Sequence, residues 1–321
     1  MSVAVALDIG ATKVAAALVD RSGTIVASTR LRTREMAAAG ADLVGALCGL
    51  ITTVAAPVGL DYVTGIGVSS AGPVDLTAGM VSPVNIPELR GVPLLKPLAT
   101  LVPGRPARLT GDGLAAAAGE HWAGAGQGCE NLLAIVVSTG VGGGLILDGR
   151  LHGGASGNAG HVGHAPVVVD GEPCPCGARG CPEAYASGPS MVRWALANGW
   201  RPTGAGDGVE LAAAARDGDP LALAAFERGG RALGAMIAAT AAICDLSCVI
   251  VGGGVAQAGE LLLAPLRRSV ADHAVLPFLT SIDLRPAQLG PDACLIGAAA
   301  LIHHDLRYAR NEKVAATLVV G

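Results

Sequence analysis

One pattern occurs twice in this chain: an apolar strand, a turn of small residues, a second strand, and a turn containing glycine. The first copy runs through residues 3–9, the turn Gly10-Ala11-Thr12-Lys13, residues 14–19 and the turn Asp20-Arg21-Ser22-Gly23. The second runs through residues 132–137, the turn Ser138-Thr139-Gly140-Val141-Gly142-Gly143, residues 144–147 and the turn Asp148-Gly149. Copies about 130 residues apart in a chain of 321 point to two lobes of like topology, divided as residues 1–120 and 121–321. Periodicity adds strands at 24–28, 63–69, 107–110, 247–251 and 282–285. Helical spacing marks 39–55, 94–101, 113–123, 189–197, 209–215, 220–243, 259–271 and 292–302. Residues 70–75 and 83–91 read as irregular loops, and the tail after Asp305 carries no signal. The class is α/β.

Such a chain can bury a substantial core. Over half of its residues are apolar but only 2% are aromatic, so the core is built of Ala, Val, Leu and Ile, and 47 glycines favour close backbone packing. The net charge of -4 and the lack of a basic block argue against a nucleic-acid or membrane-surface partner. Asp8 interrupts the first apolar run, so no signal peptide is expected. The most apolar later stretch, 234–251, carries Asp245 and reads as a helix followed by a strand rather than a membrane span. Cys48, Cys129, Cys244, Cys248 and Cys294 are scattered, as free thiols in a reducing cytoplasm would be. The expectation is a soluble, cytoplasmic protein.

The densest chemistry lies in 159–183. Cys174, Cys176 and Cys181 fall in one short loop, with His164 upstream. Three thiols and one imidazole can close a tetrahedral zinc site with no open position. Pro173, Pro175, Gly177 and Gly180 let so short a loop bend around one ion. A disulfide with one spare cysteine is the alternative. A metal here would fix the neighbouring His161 and Glu183.

Both hairpin turns could surround phosphate oxygens with backbone N–H groups, and equally both could be plain tight turns. Lys13 would add charge to the first, and Asp8 could hold magnesium or its water shell. Neither a G-x-x-x-x-G-K-[ST] loop nor a G-x-G-x-x-G fingerprint is present, which excludes the P-loop and Rossmann types. Asp112 stands between a strand and a helix, where a carboxylate projects into a cleft or caps the helix. Gly252-Gly253-Gly254 could admit a flat base or ribose, or simply turn the chain. Glu120 reads as a solvated surface charge.

The run Cys174-Pro-Cys176-Gly-Ala-Arg-Gly-Cys181-Pro-Glu183 fits the pattern C-x-C-G-x-x-G-C-x-E, and with Asp8-Ile-Gly-Ala-Thr-Lys13 and Gly297-Ala-Ala-Ala300 it resembles the ROK family (repressors, open reading frames, kinases) over nearly the whole chain. That resemblance implies an actin-like, ribonuclease-H-like ATPase fold of two lobes with a cleft between them. It implies an ATP-dependent sugar kinase using Mg2+ and a structural Zn2+, with a small sugar as partner and a homodimer or homotetramer as assembly. By position, Asp112 would be the catalytic base. Asp8, Gly10, Ala11, Thr12 and Lys13, with Ser138, Thr139, Gly140, Val141, Gly142 and Gly143, would be the phosphate segments, the second running on to Gly144. Gly252, Gly253 and Gly254 would lie at the adenosine. His164, Cys174, Cys176 and Cys181 would hold zinc, and Asn85, Asp112, His161, His164 and Glu183 would contact the sugar.

Two departures from the family pattern bear on activity and substrate. Gly111 stands where the family usually has Asn before the catalytic Asp, removing a contact to a sugar hydroxyl. His161 stands where family glucokinases usually have Glu, and Ala159-Gly-His-Val-Gly-His164 is similar to the N-acetylmannosamine kinase subgroup. A neutral imidazole can donate or accept one hydrogen bond, whereas a carboxylate only accepts. The reading favoured is 6-phosphorylation of a hexose or N-acylhexosamine, N-acetylmannosamine first and glucose as the alternative, with polyphosphate open as a donor. A non-catalytic sugar-binding paralogue is a further alternative. A sugar-sensing repressor is disfavoured, because Asp8 lies so near the first residue that no DNA-binding segment precedes it.

Overall fold

The computed structural model describes residues 2–10, 12–37, 42–83, 86–309 and 315–320. In chain order the elements are β1 (Val3–Ile9), β2 (Lys13–Asp20), β3 (Ile25–Arg32), α1 (Thr33–Ala37), α2 (Leu43–Ala55), β4 (Val63–Ser70), β5 (Val74–Asp75), β6 (Met80–Val81), β7 (Val92–Pro93), α3 (Leu95–Ala99), β8 (Ala107–Gly111) and α4 (Asp112–Ala123). There follow β9 (Leu132–Val137), β10 (Val141–Leu147), β11 (Arg150–His152), α5 (Glu183–Ala186), α6 (Gly188–Ala197), α7 (Gly208–Arg216), α8 (Pro220–Cys244), β12 (Cys248–Gly252), α9 (Glu260–His273), β13 (Asp283–Pro286), α10 (Ala293–His303), α11 (Asp305–Tyr308) and β14 (Ala316–Leu318).

The strands form a sheet of order β14-β8-β4-β1-β2-β3 and another of order β11-β10-β9-β12-β13, with a small sheet β5-β6-β7. Taken from hairpin outward, β3-β2-β1-β4-β8 and β11-β10-β9-β12-β13 have the same order. In each, the strand that opens the hairpin (β1 or β9) pairs in parallel with the next (β4 or β12), which pairs in parallel with the last (β8 or β13). Contacts divide the chain into two compact units. The first comprises 1–130, 144–160 and 291–321, the second 131–143 and 161–290.

In the first unit β1 is buried along its whole length, which is why it is a continuous apolar run rather than an alternating one. Its two faces differ in size. Val3, Val5, Leu7 and Ile9 join the core containing Leu47, Ile51 and Val54 of α2. Ala4 and Ala6, with Ala15 and Ala17 of β2, meet Leu295, Ala298 and Ala299 of α10. Small residues on that second face let backbones touch. A Cβ on Gly67 would overlap the Ala298 carbonyl, one on Gly119 the Ala293 carbonyl, and one on Gly297 the Ala115 carbonyl. β4, α4 and α10 are therefore packed main chain to main chain.

The second unit is built on β9, β12 and β13 with the long helix α8 lying on α9. Asp219 caps α8 by accepting from the N–H groups of Leu221 and Ala222, and Pro220 occupies the first turn. The helix ends at Asp245, which takes the left-handed conformation. No helix among the described residues is long and apolar enough to cross a membrane.

Several sequence expectations need correction. Residues 70–75 are not merely loop, because β5 there joins β6 and β7, for which no strand was expected, in a small sheet. The tail contributes β14, antiparallel to β8. The second glycine turn is shorter than expected, since Val141, Gly142 and Gly143 already belong to β10. Glu120 is buried at 2% exposure, and its Oε2 accepts from the Ala125 N–H at 2.9 Å to close the end of α4. The start of the helix expected from residue 39 lies partly outside the described residues, and α2 begins at Leu43.

Candidate active site

Within the first unit, β1 delivers Asp8 to its C-terminal end, in register with Ser69 of β4. The Ser69 hydroxyl donates to Asp8 Oδ1 at 2.9 Å, and Asp8 is 7% exposed. Burial raises the Asp8 carboxyl from 3.8 to about 6; Asp112 pushes the same way, while the Ser69 bond and Lys13 oppose it. Asp112 is the first residue of α4, directly after β8, and is exposed. The N-cap position falls on Gly111, which has no side chain to cap with, so Asp112 is not the N-cap. Its Oδ1 accepts from the adjacent Gly113 N–H at 2.7 Å.

The first turn closes with the Gly10 N–H donating to the Lys13 carbonyl at 3.0 Å. Thr33 holds it from α1, with Oγ1 donating to the Gly10 carbonyl at 2.8 Å and N–H to the Thr12 carbonyl at 3.1 Å. Lys13 opens β2, and its Nζ lies 3.4 Å from the Pro291 carbonyl. Ala11 lies outside the described residues, as does Asn85. The sequence reading missed two members of this cluster, Ser69 and Cys294. The Cys294 Sγ lies 3.6 Å from the Asp112 carbonyl, and its thiol is pushed well above its ordinary value by burial and by the Asp8 and Asp112 charges. A cysteine in an alanine-rich helix gives no sign of this in sequence.

In the second unit the loop brings together the four expected ligands. One ligand atom each from His164, Cys174, Cys176 and Cys181 lie within 4.8 Å of one another. The Cys176 and Cys181 sulfurs are 3.8 Å apart, and Cys174 Sγ is 3.7 Å from His164 Nδ1. Zinc–sulfur bonds of about 2.3 Å in a tetrahedron require sulfurs about 3.8 Å apart, so the group fits such an ion. All eight cysteines are free, which removes the disulfide alternative. Gly177 and Gly180 take positive φ (94° and 74°), the turn geometry the loop needs between its thiols. Burial, reinforced by the neighbouring thiols, pushes Cys181 up to about 12, so a cation is what would keep such a group of thiolates ionised.

With Nδ1 turned to the thiols, His164 Nε2 faces Glu183 Oε2 at 4.0 Å. Glu183 opens α5, and the same Oε2 accepts from the Val141 N–H at 2.9 Å. His161 is exposed just before the turn Val162–His164. The turn Ser138–Gly140 closes with the Ser138 N–H on the Gly140 carbonyl at 2.8 Å. Gly254 borders it, because a Cβ there would stand 3.6 Å from Ser138 Oγ. Gly253 has φ 96° and lies against the Val137 backbone, so only glycine suits it. The turn Ser138–Gly140 and the turn at Gly253 and Gly254 thus lie side by side at the ends of β9 and β12.

The profile of the ROK family matches residues 4–305. The chain belongs to the ROK family. It is 35% identical to a glucokinase of Streptomyces coelicolor over 319 residues, 94% of this chain and 98% of that protein. It is 36% identical to an N-acetylmannosamine kinase of Yersinia pseudotuberculosis over 300 residues, 93% of this chain and 98% of that one. Among solved structures, a ROK family glucokinase from Streptomyces griseus in complex with glucose and AMPPNP superposes with a TM-score of 0.79 at 36% identity, covering 94% of this chain and 99% of that one. The fold is accordingly the actin-like ATPase fold of the ROK sugar kinases.

Proposed function

We propose that this protein transfers the γ-phosphoryl group of ATP to the 6-hydroxyl of a hexose or N-acylhexosamine, with N-acetylmannosamine favoured by His161 and glucose as the alternative. At the level of class the chain is a ROK-family sugar kinase. The observation that carries the finer reading is Asp112, an exposed carboxylate at the head of α4 whose charge bears on a buried second acid, Asp8. Asp112 accepts the proton of the attacking hydroxyl, a general-base role that commonly contributes about 10²–10⁴ in rate. Asp8 is the residue suited to hold Mg2+ or its water shell, and that ion, when bound, supplies charge compensation for the phosphates.

The N–H groups of the two glycine turns and Lys13 receive the phosphates, and the backbone of Gly252, Gly253 and Gly254 receives the adenosine. His161, His164 and Glu183 orient the sugar, with Asn85 assigned there by family position. His164, Cys174, Cys176 and Cys181 hold Zn2+, which supplies a rigid anchor for the loop that carries His161 and Glu183. His161 can donate to an acyl carbonyl oxygen, which a carboxylate in its place cannot do. That difference favours the N-acylhexosamine.

A non-catalytic sugar-binding protein is kept as a second reading by Gly111. Among the described residues a Cβ built there meets no atom within 4 Å, so nothing stands where the side chain of the missing Asn would begin. An ATP-coupled assay across N-acetylmannosamine, glucose, N-acetylglucosamine and mannose, with polyphosphate as alternative donor, tests both. Turnover with N-acetylmannosamine above the others is the expected result; no turnover with any of the four supports the non-catalytic reading.

A further inference from the structure

The peptide groups flanking the second glycine turn are gripped by the metal loop. The Val141 N–H donates to Glu183 Oε2 at 2.9 Å. A Cβ on Gly163, between His161 and His164, would overlap the Val141 carbonyl, so the loop backbone lies directly on that residue. Five residues after α5 opens at Glu183, the Gly188 N–H donates to the Ser138 carbonyl at 2.9 Å, on the other side of the turn. Within the turn itself, a Cβ on Gly140 would stand 2.7 Å from Glu183 Oε2. One carboxylate thus contacts the turn and faces His164 Nε2 at 4.0 Å.

We propose that Glu183 is a positioning residue that couples the sugar site to the second phosphate turn, so that sugar and nucleotide bind with positive cooperativity. This rests on the kinase reading above. The bond to Val141 orders a peptide beside the turn, but it also sets a carboxylate where polyphosphate would approach, and like charges there oppose binding. A sugar hydroxyl donating to Glu183 offsets part of that charge and holds the side chain in the rotamer that keeps the Val141 bond. Nucleotide affinity then rises when sugar is bound, and by linkage sugar affinity rises by the same factor when nucleotide is bound. Nothing need move far, because one side chain serves both sites.

The test is a pair of calorimetric titrations of the metal-loaded protein with AMPPNP, without and with saturating N-acetylmannosamine, repeated with glucose. For the wild type the expected factor lies within about 5–150-fold, the usual span of such couplings. Gly140→Ala forces the Glu183 carboxylate away from its place on the turn, and the factor is expected to fall toward one. Glu183→Gln keeps an acceptor oxygen but removes the charge, so AMPPNP alone should bind more tightly and sugar should add less. Where one variant does not fold or loses a ligand, the other decides. A wild-type factor of one, or a variant binding both ligands with the wild-type factor, overturns the proposal. If neither sugar binds the wild type, it is the kinase reading that fails.

Discussion

The turns after β1 and after β9 occupy the same place in two sheets of like order, yet they are held in different ways. The first is held locally: Thr33, a short way along the chain, grips both Gly10 and Thr12, and the charged group beneath it, Asp8, is its own neighbour in β1. The second is held from a distance by Glu183 and Gly188, which follow the four-ligand loop. A turn of the first kind needs only β1, β2, β3 and the first residue of α1. A turn of the second kind depends on a loop whose four candidate ligands, His164, Cys174, Cys176 and Cys181, the proposed Zn2+ would tie together.

Removing the metal should therefore separate the two turns most sharply. Chelation is expected to abolish sugar binding and to raise amide exchange across 138–143 and 161–188, while 3–20 keep their protection, as read by hydrogen–deuterium exchange. Equal loss of protection in both hairpins would erase the distinction. Elemental analysis before chelation should find one zinc per chain.

Next in size is Asp112→Asn. Phosphorylation is expected to fall by about 10²–10⁴ with sugar affinity kept, measured by coupled assay and calorimetry. Normal turnover would remove the base from the first unit altogether.

The buried acid beneath the first turn has a pH signature of its own. Because the folded carboxyl of Asp8 sits near 6 against 3.8 unfolded, the folded chain holds an extra proton between those values, and Asp8 lowers stability as pH rises through that window. Asp8→Asn, which keeps an acceptor for Ser69, should raise the unfolding free energy by about 3 kcal/mol at pH 8. The gain should vanish below pH 4, as followed by denaturant unfolding. A gain independent of pH would mean that the charge is not its source. The variant's activity is expected to fall, since the carboxylate is lost.

The smallest effects compare the glycines. Gly163→Ala would drive a methyl into the Val141 carbonyl and should cost about 1–3 kcal/mol, whereas Gly10→Ala meets the Lys13 carbonyl at 3.1 Å and should cost less. Thermal unfolding of the two variants side by side reads the difference. Equal losses would mean that the metal loop does not brace the second turn.

Much of this comparison was open to sequence reasoning. The doubled hairpin and the Cys-His spacing follow from local patterns, apolar runs and ligand counts, which are carried by contiguous residues. What stayed hidden came from contacts between distant residues. Glu120 has the composition of a surface charge, and only the fold shows it closing the end of α4. Val141 looks like one more turn residue until β10 is seen to start there. Cys294 beside Asp112, and Ser69 beneath Asp8, depend on which helix lies on which sheet. Short strands such as β5, β6, β7 and β14 pair over only two or three residues, too few for periodicity to register.

The glycine contacts among β4, α4 and α10 have a dynamic consequence. Asp112 begins α4 and Cys294 lies at the start of α10, so the span between them is set by two main chains in contact rather than by interlocking side chains. Where Gly119 and Gly297 meet the opposing carbonyls, no side chain stands between the two backbones to change rotamer, and close-packed main chain yields little. Vibrations of the two helices against each other should be stiff and of small amplitude, leaving the carboxylate of Asp112 a steady target as temperature rises.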